Sequence, residues 1–294
     1  MQDKLERLII KYAKKYEGKP IALSGGIDSG LLAALIKPKF AITVKLPEGK
    51  HNEIKQARKV AAYLNIKLIE VECDDSQWDK IMPIAVKAIG RPIPHFNIFP
   101  LYFMYQKLAE LGEKEIVLGD GPDETMCGYA RDLIITYLYK IYQFEAFKNY
   151  KPLIDKILMP EEKTISAVLG KDNINPLLTI TEADIEYMRP DMDDMSNGIA
   201  KHFGLTNLRP YQDNKELDDF MKNLPLTEKI VNTEYGKYAL REIANKYLPI
   251  EIAWRKEKVG GPVYPVNIMR GWDKIDGEFG KSQYLEYQKK ILEN

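Results

Sequence analysis

The sequence predicts an α/β fold: a parallel sheet with helices on both faces, followed by a mainly helical C-terminal region. Three observations carry that expectation. Over residues 1–118, short apolar runs alternate with helix-period patterns, the signature of strand–helix–strand crossovers. A polar turn, Ser24-Gly25-Gly26-Ile27-Asp28-Ser29, links the first apolar run to a helical pattern. A second turn, Gly119-Asp120-Gly121-Pro122-Asp123-Glu124, closes the last run of this series. In open parallel sheets such turns lie beyond the carboxyl ends of the strands, where ligands bind.

Taken in order, Leu5, Leu8, Ile9 and Tyr12 recur at helical spacing and predict an amphipathic helix over residues 3–16. Ile21-Ala22-Leu23 is the first strand and Leu31 to Ile36 the helix after its turn. Phe40 to Val44 is the second strand, leading to Lys45-Leu46-Pro47. Residues 52–64 place Ile54, Ala57, Val60, Ala61 and Leu64 on one helical face. Lys67 to Cys73 is the third strand. A helical region from Ser76 breaks at Arg91-Pro92-Ile93-Pro94, because a residue before proline is driven out of helical geometry. Leu101 to Leu111 is helical and Glu115 to Leu118 a further strand. From about Glu161 the pattern is mainly helical, with apolar faces around Leu217–Met221 and Tyr238–Tyr247. The expected division is an α/β core over 1–160 and a mainly helical part over 161–294, packed on the same site.

A chain of 294 residues can bury a large core without a metal or disulfide staple. Its 43 basic and 43 acidic residues cancel, so net charge offers no grip on nucleic acid. Cys73 and Cys127 show no metal-ligand spacing and suit a reducing cytoplasm. Met1–Lys19 is charged throughout and lacks the apolar stretch of a signal peptide, and no apolar run is long enough to span a bilayer.

The chemistry concentrates in the turns. Gly25 and Gly26 let the backbone bend and leave no Cβ between its N–H groups and an oxyanion. The helix N-terminus adds unpaired donors, and Ser24 and Ser29 add hydroxyls. Asp28 would repel a phosphate there unless a divalent cation lay between them, which makes it a candidate Mg²⁺ ligand. The bland alternative is a turn whose Asp and Ser serve as helix caps. In the second turn Asp120, Asp123 and Glu124 crowd three carboxylates into five residues, either as a solvated acidic loop or as a site in which Asp123 is a second metal ligand. Asp191, Asp193 and Asp194 form another acidic knot, either near the site or facing solvent. Arg255-Lys256-Glu257-Lys258-Val259-Gly260-Gly261-Pro262 is a basic cluster running into a glycine turn, again either solvated or functional.

The Ser-Gly-Gly-x-Asp-Ser turn after a first strand resembles the pyrophosphate-binding loop of the ATP pyrophosphatases, the adenine nucleotide alpha hydrolase-like fold. Gly119-Asp120-Gly121-Pro122-Asp123-Glu124, with Gly128-Tyr129, resembles the asparagine synthetase signature, Asp120 replacing its first Glu. Val44 to Pro47, Arg209-Pro210-Tyr211-Gln212-Asp213, Gly236-Lys237, Leu240-Arg241, Leu248-Pro249 and Trp254-Arg255 align in the same order, so the likeness runs over about residues 18–265. That resemblance implies an AMP-forming, ATP-dependent ligase that adenylates a carboxylate and joins it to ammonia or an amine. It implies that Leu23 and Val44 frame the adenine, while Leu118 and Gly119 lie beside the nucleotide. Ser24, Gly25, Gly26 and Ser29 would hold the departing pyrophosphate, and Asp28 and Asp123 would bind Mg²⁺. Asp120 would position the amine or take its proton. A lysine after Arg255 would contact the α-phosphate, with Lys258 preferred to Lys256 because a glycine loop follows it.

Two departures from the family bear on the substrates. The chain reaches the ATP loop by residue 24, leaving no room for an N-terminal glutaminase domain. Ammonia is then expected free, from a separate glutaminase subunit, or replaced by another amine. The family's aspartate-holding arginine falls near Phe96, beside His95 and Asn97, so the acid is expected to differ from free aspartate unless Arg91 substitutes. Competing readings are a tRNA- or nucleobase-modifying ATP pyrophosphatase, which neutral charge and the lack of paired cysteines disfavour, and a non-catalytic nucleotide-binding subunit.

Overall fold

The computed structural model describes residues 1–46, 54–130, 132, 133, 136, 181, 182, 184–232, 234–256 and 281–294. The chain divides into two compact units, each assembled from separate segments. Ala13–Leu118, Asp191–Arg209 and Val259–Asn294 make one; Met1–Tyr12, Gly119–Pro190 and Pro210–Lys258 make the other.

The first unit is an α/β layer fold around a five-stranded parallel sheet. Strands β1 (Ile21–Ala22), β2 (Ala41–Lys45), β3 (Leu68–Glu72), β4 (Glu115–Val117) and β5 (Thr206–Leu208) are ordered β3-β2-β1-β4-β5. Ile21 pairs with Ala41 on one side and Val117 on the other, so the order reverses at β1. The first four strands fall where the apolar runs predict them. The fifth is new: Thr206–Leu208 lies inside a region expected to be helical, yet pairs with Glu115–Val117. Its Thr206 N–H donates to Lys114 O at 2.8 Å, and Leu118 N–H donates to Leu208 O at 2.9 Å.

Helices flank the sheet: α2 (Ile27–Ile36), α3 (Ile54–Tyr63), α4 (Trp78–Ile89), α5 (Ile98–Glu110), α6 (Arg189–His202), most of which belongs to this unit, and a C-terminal helix, Lys281–Glu293. Helix α2 begins at Ile27, earlier than the apolar pattern suggests, because its first turn is the polar Ile27-Asp28-Ser29 segment itself. The break at Arg91–Pro94 is observed: α4 stops at Gly90 in left-handed geometry (φ 83°) and α5 starts at Ile98. Between them Ile93 is fully buried, and the C-terminal helix satisfies its backbone. Gln288 donates to Ile93 O at 2.8 Å and accepts from Ile93 N–H at 2.9 Å. The same helix packs Tyr287 on Trp78, whose ring also meets Phe99 at 4.9 Å.

The second unit is mainly helical. Its N-terminal helix α1 (Gln2–Ala13) buries Leu5, Leu8 and Ile9, as the helical spacing requires. Its polar face is tied down: Tyr12 donates to Glu216 at 2.5 Å, and Tyr247 donates to Glu6 at 2.9 Å. A short antiparallel pair, β6 (Ile230–Val231) with β7 (Tyr235–Gly236), leads into a helix over Tyr238–Ala244. Arg241 on that helix donates to Gly236 O at 2.8 Å and Ala253 O at 2.9 Å, fastening the hairpin to the segment before Arg255.

Candidate active site

In the sheet unit, the β1–α2 turn is built around two glycines and two hydroxyls. Gly25 sits at φ 79°, and a Cβ there would lie 2.5 Å from the backbone at Gln56 and Ala57. No side chain but hydrogen fits between this turn and α3. Ser24 and Ser29 hydroxyls are 3.1 Å apart, Gly26 N–H donates to Ser24 Oγ at 3.2 Å, and Ser24 N–H donates to Ser29 Oγ at 3.3 Å. Gly26 is the N-cap of α2 and supplies no capping side chain. The first-turn N–H groups of a ten-residue helix therefore lack a side-chain cap, at the positive end of its dipole. Such a cradle has the donors and the open approach that a phosphate requires.

The same unit gathers three expected nucleotide contacts. Leu23 directly follows β1, Val44 lies in β2 and Leu118 directly follows β4, three neighbouring strands ending on the side of the β1–α2 turn. All three side chains are buried. Asp28, in the first turn of α2, is partly exposed.

The second turn belongs to the helical unit, and its geometry explains its spelling. Gly121 is at φ 115°, where an L side chain is strained, and Pro122 opens a single helical turn, Pro122–Thr125. Thr125 Oγ1 caps back onto Gly121 O at 2.9 Å. Asp120 is exposed, while Glu124 turns inward and is buried. Tyr129 donates its hydroxyl to Glu124, so the Glu and the Gly-Tyr of the motif are one structural pair. Burial, with the Asp123 charge second, raises the Glu124 carboxyl above its ordinary range, and burial raises the Tyr129 phenol well above its own.

Asp123 Oδ1 lies 2.6 Å from Lys237 Nζ, a pair in which the lysine is 5% exposed and the aspartate 25%. Gly128 stands beside it, since any Cβ there would collide with Asp123 Oδ1 and Lys237 Cε. Arg189, which is partly buried, donates to Asp218 at 3.0 Å and to Gly121 O at 3.4 Å. Neither Lys237 nor Arg189 stands out in the sequence as a site residue. Gly236-Lys237 is among the pairs that resemble the family, but the partnership of Lys237 with Asp123 joins segments far apart in the chain.

Near the end of this unit, Arg255 Nη1 is buried without a hydrogen-bond partner among the described residues. Lys256 is on the surface, paired with Glu234 at 3.1 Å. Lys258, the preferred lysine, lies outside the described residues. The acidic knot is fully engaged in the sheet unit: Asp191 and Asp194 hold Arg91 at 2.6 and 2.8 Å, and Asp193 holds Arg209 at 3.2 Å. Phe96 packs its ring on Tyr284, centroid to centroid 4.9 Å.

Among the described residues no cluster of three or more His, Cys, Asp or Glu is poised for a metal. Magnesium does not demand one, because it commonly takes one or two carboxylates and completes its shell with phosphate oxygens and water. Asp28 in the sheet unit and Asp123 in the helical unit each carry the hard oxygen donors that such a cation takes.

Comparison with known proteins narrows the chemistry. A family model described as Asparagine synthase matches residues 20–274. A Methanocaldococcus jannaschii protein provisionally named glutamine-hydrolyzing asparagine synthetase 1 is 25% identical over 266 residues, covering 86% of this chain and 47% of its own length. Glutamine-hydrolyzing asparagine synthetase B of Escherichia coli is 24% identical over 263 residues, covering 81% of this chain and 40% of its own. Asparagine synthetase 2 of Arabidopsis thaliana is 22% identical over 245 residues, with 72% and 40% covered. The chain thus spans less than half the length of these relatives. With the family model extending over most of its residues, the chain belongs to the asparagine synthase family.

Proposed function

We propose that the chain is an AMP-forming, ATP-dependent ligase that activates a carboxylate and forms an amide with ammonia or an amine. The observation that carries this reading is the β1–α2 turn, whose Gly25 is forced by the backbone of α3 and whose helix N-terminus has no side-chain cap. That turn offers the donors a departing pyrophosphate needs.

In this reading Leu23, Val44, Leu118 and Gly119 receive the adenosine, and Ser24, Gly25, Gly26 and Ser29 hold the β- and γ-phosphates. Bound Mg²⁺ would neutralise charge on the leaving pyrophosphate, and Asp28 and Asp123 are the carboxylates that would hold it. The substrate carboxylate attacks the α-phosphorus as the α–β bond breaks, and Lys258 and Arg255 offset the charge developing there. The amine then attacks the activated acyl carbon, AMP leaves, and Asp120, which is exposed, accepts the proton. Ammonia would come from solution or from a separate glutaminase subunit.

The acid is a substrate other than free aspartate. Phe96, packed on Tyr284, carries no charge, and Arg91 is already ion-paired to both Asp191 and Asp194, which supports this reading. The experiment is pyrophosphate release from ATP, Mg²⁺ and ammonium across a panel of small carboxylic acids. Release with an acid other than aspartate, abolished in Asp28→Asn, is the expected result. Efficient turnover of aspartate would overturn the substrate reading, and no release with any acid or amine would overturn the ligase.

A further inference from the structure

We infer that Lys237 is a positioning residue for Asp123, which it holds in the orientation that a metal-bound nucleotide meets. The inference rests on the reading of Asp123 as a Mg²⁺ ligand and adds to it the group that aims the ligand.

The two residues are clasped by more than their ion pair. Lys237 is the N-cap of the Tyr238–Ala244 helix and lies in left-handed geometry, φ 58°, which a lysine adopts only when its surroundings impose it. Its N–H donates to Met126 O at 2.9 Å, and its carbonyl accepts from Arg241 N–H at 2.9 Å. The Asp123 backbone closes the same turn from the other side, its carbonyl accepting from Gly128 N–H at 2.9 Å. The two strands of this clasp approach through glycines. A Cβ on Gly236 would overlap Cys127 O, and one on Gly128 would overlap both partners of the ion pair.

The burial of the two partners is unequal, and this decides what the pair does. Lys237 is 5% exposed, so its ammonium has little access to water and must stay on a protein acceptor. Asp123 is 25% exposed, so its carboxylate still meets solvent while Oδ1 is ion-paired. A lysine that served stability alone would be a poor choice here, because a buried ion pair contributes little net stability over an apolar pair. A lysine that pins a ligand-binding carboxylate removes its rotational freedom before the ligand arrives.

The test is ATP binding by isothermal titration calorimetry in Mg²⁺ and in EDTA, on the wild-type chain, Asp123→Asn, Lys237→Met and the double variant. Wild type is expected to bind ATP more tightly with Mg²⁺. That gain should fall about tenfold in Lys237→Met, and the double variant should be no worse than Asp123→Asn alone. Lys237→Gln, which keeps a donor on a nearly full-length stem, should retain more of the gain and serves if the methionine variant does not fold. An unchanged Mg²⁺ gain in both lysine variants, or effects that add in the double variant, would overturn the inference. A wild type indifferent to Mg²⁺, or an Asp123→Asn that binds like wild type, would overturn the metal reading of Asp123 and the inference with it.

Discussion

Tyr129 donates its phenolic hydroxyl to the buried carboxylate of Glu124, closing the acidic turn from beneath. The pair divides the turn's carboxylates by role: Glu124 is structural, whereas Asp120 and Asp123 remain accessible. Tyr129→Phe would strand a buried acceptor. It should cost about 1–3 kcal/mol of stability, measured by urea denaturation. A variant as stable as wild type would show that the bond carries nothing.

Two glycines should resist the smallest substitution for different reasons. Gly25→Ala meets both a positive φ and the backbone of α3, which cannot move aside as a side chain can. It should lose ATP binding altogether, read by calorimetry. Gly128→Ala meets Asp123 Oδ1, Lys237 Cε and, at 2.8 Å, the Asp123 Cα, so the ion pair must be displaced and a stability loss of about 1–3 kcal/mol is expected.

Gln288 satisfies both backbone groups of a fully buried residue, Ile93. Gln288→Leu keeps the volume but leaves an N–H and a C=O unpaired, at about 1–3 kcal/mol each. Hydrogen exchange should show the Ile93 amide losing protection first. Unaltered protection there would mean that the C-terminal helix does not secure this segment.

Lys229 is 1% exposed and donates to Lys222 O at 2.8 Å. Burial holds its ammonium below the ordinary lysine value of 10.5. The folded chain therefore binds this proton less tightly than the unfolded chain. The corresponding stability is fully present above 10.5 and is lost as pH falls through the lowered value. Lys229→Met should flatten this slope in thermal melts between neutral and alkaline pH. At neutral pH it should be within about 1 kcal/mol of wild type or above it. A slope identical to wild type would exclude Lys229 as its source.

Much of the sheet was legible because each of its first four strands is a separate apolar run with turn residues at its ends. β5 was not, since Thr206-Asn207-Leu208 is three residues long and has no alternation of its own. Its strand character comes from Lys114 and Leu118, which offer it backbone partners. The partners of the acidic knot were likewise not legible, because Arg91 and the knot lie about a hundred residues apart in the chain.

The order of residues was enough for the α/β class, the two glycine-bearing turns and the family, because these depend on local chemistry at short spacing. Packing alone reveals that Glu124 faces inward, that Phe96 lies against Tyr284 and that Asp123 is held by Lys237. Those three facts depend on burial and on contacts between distant segments. Neither is written in any stretch of chain until the backbone closes on itself.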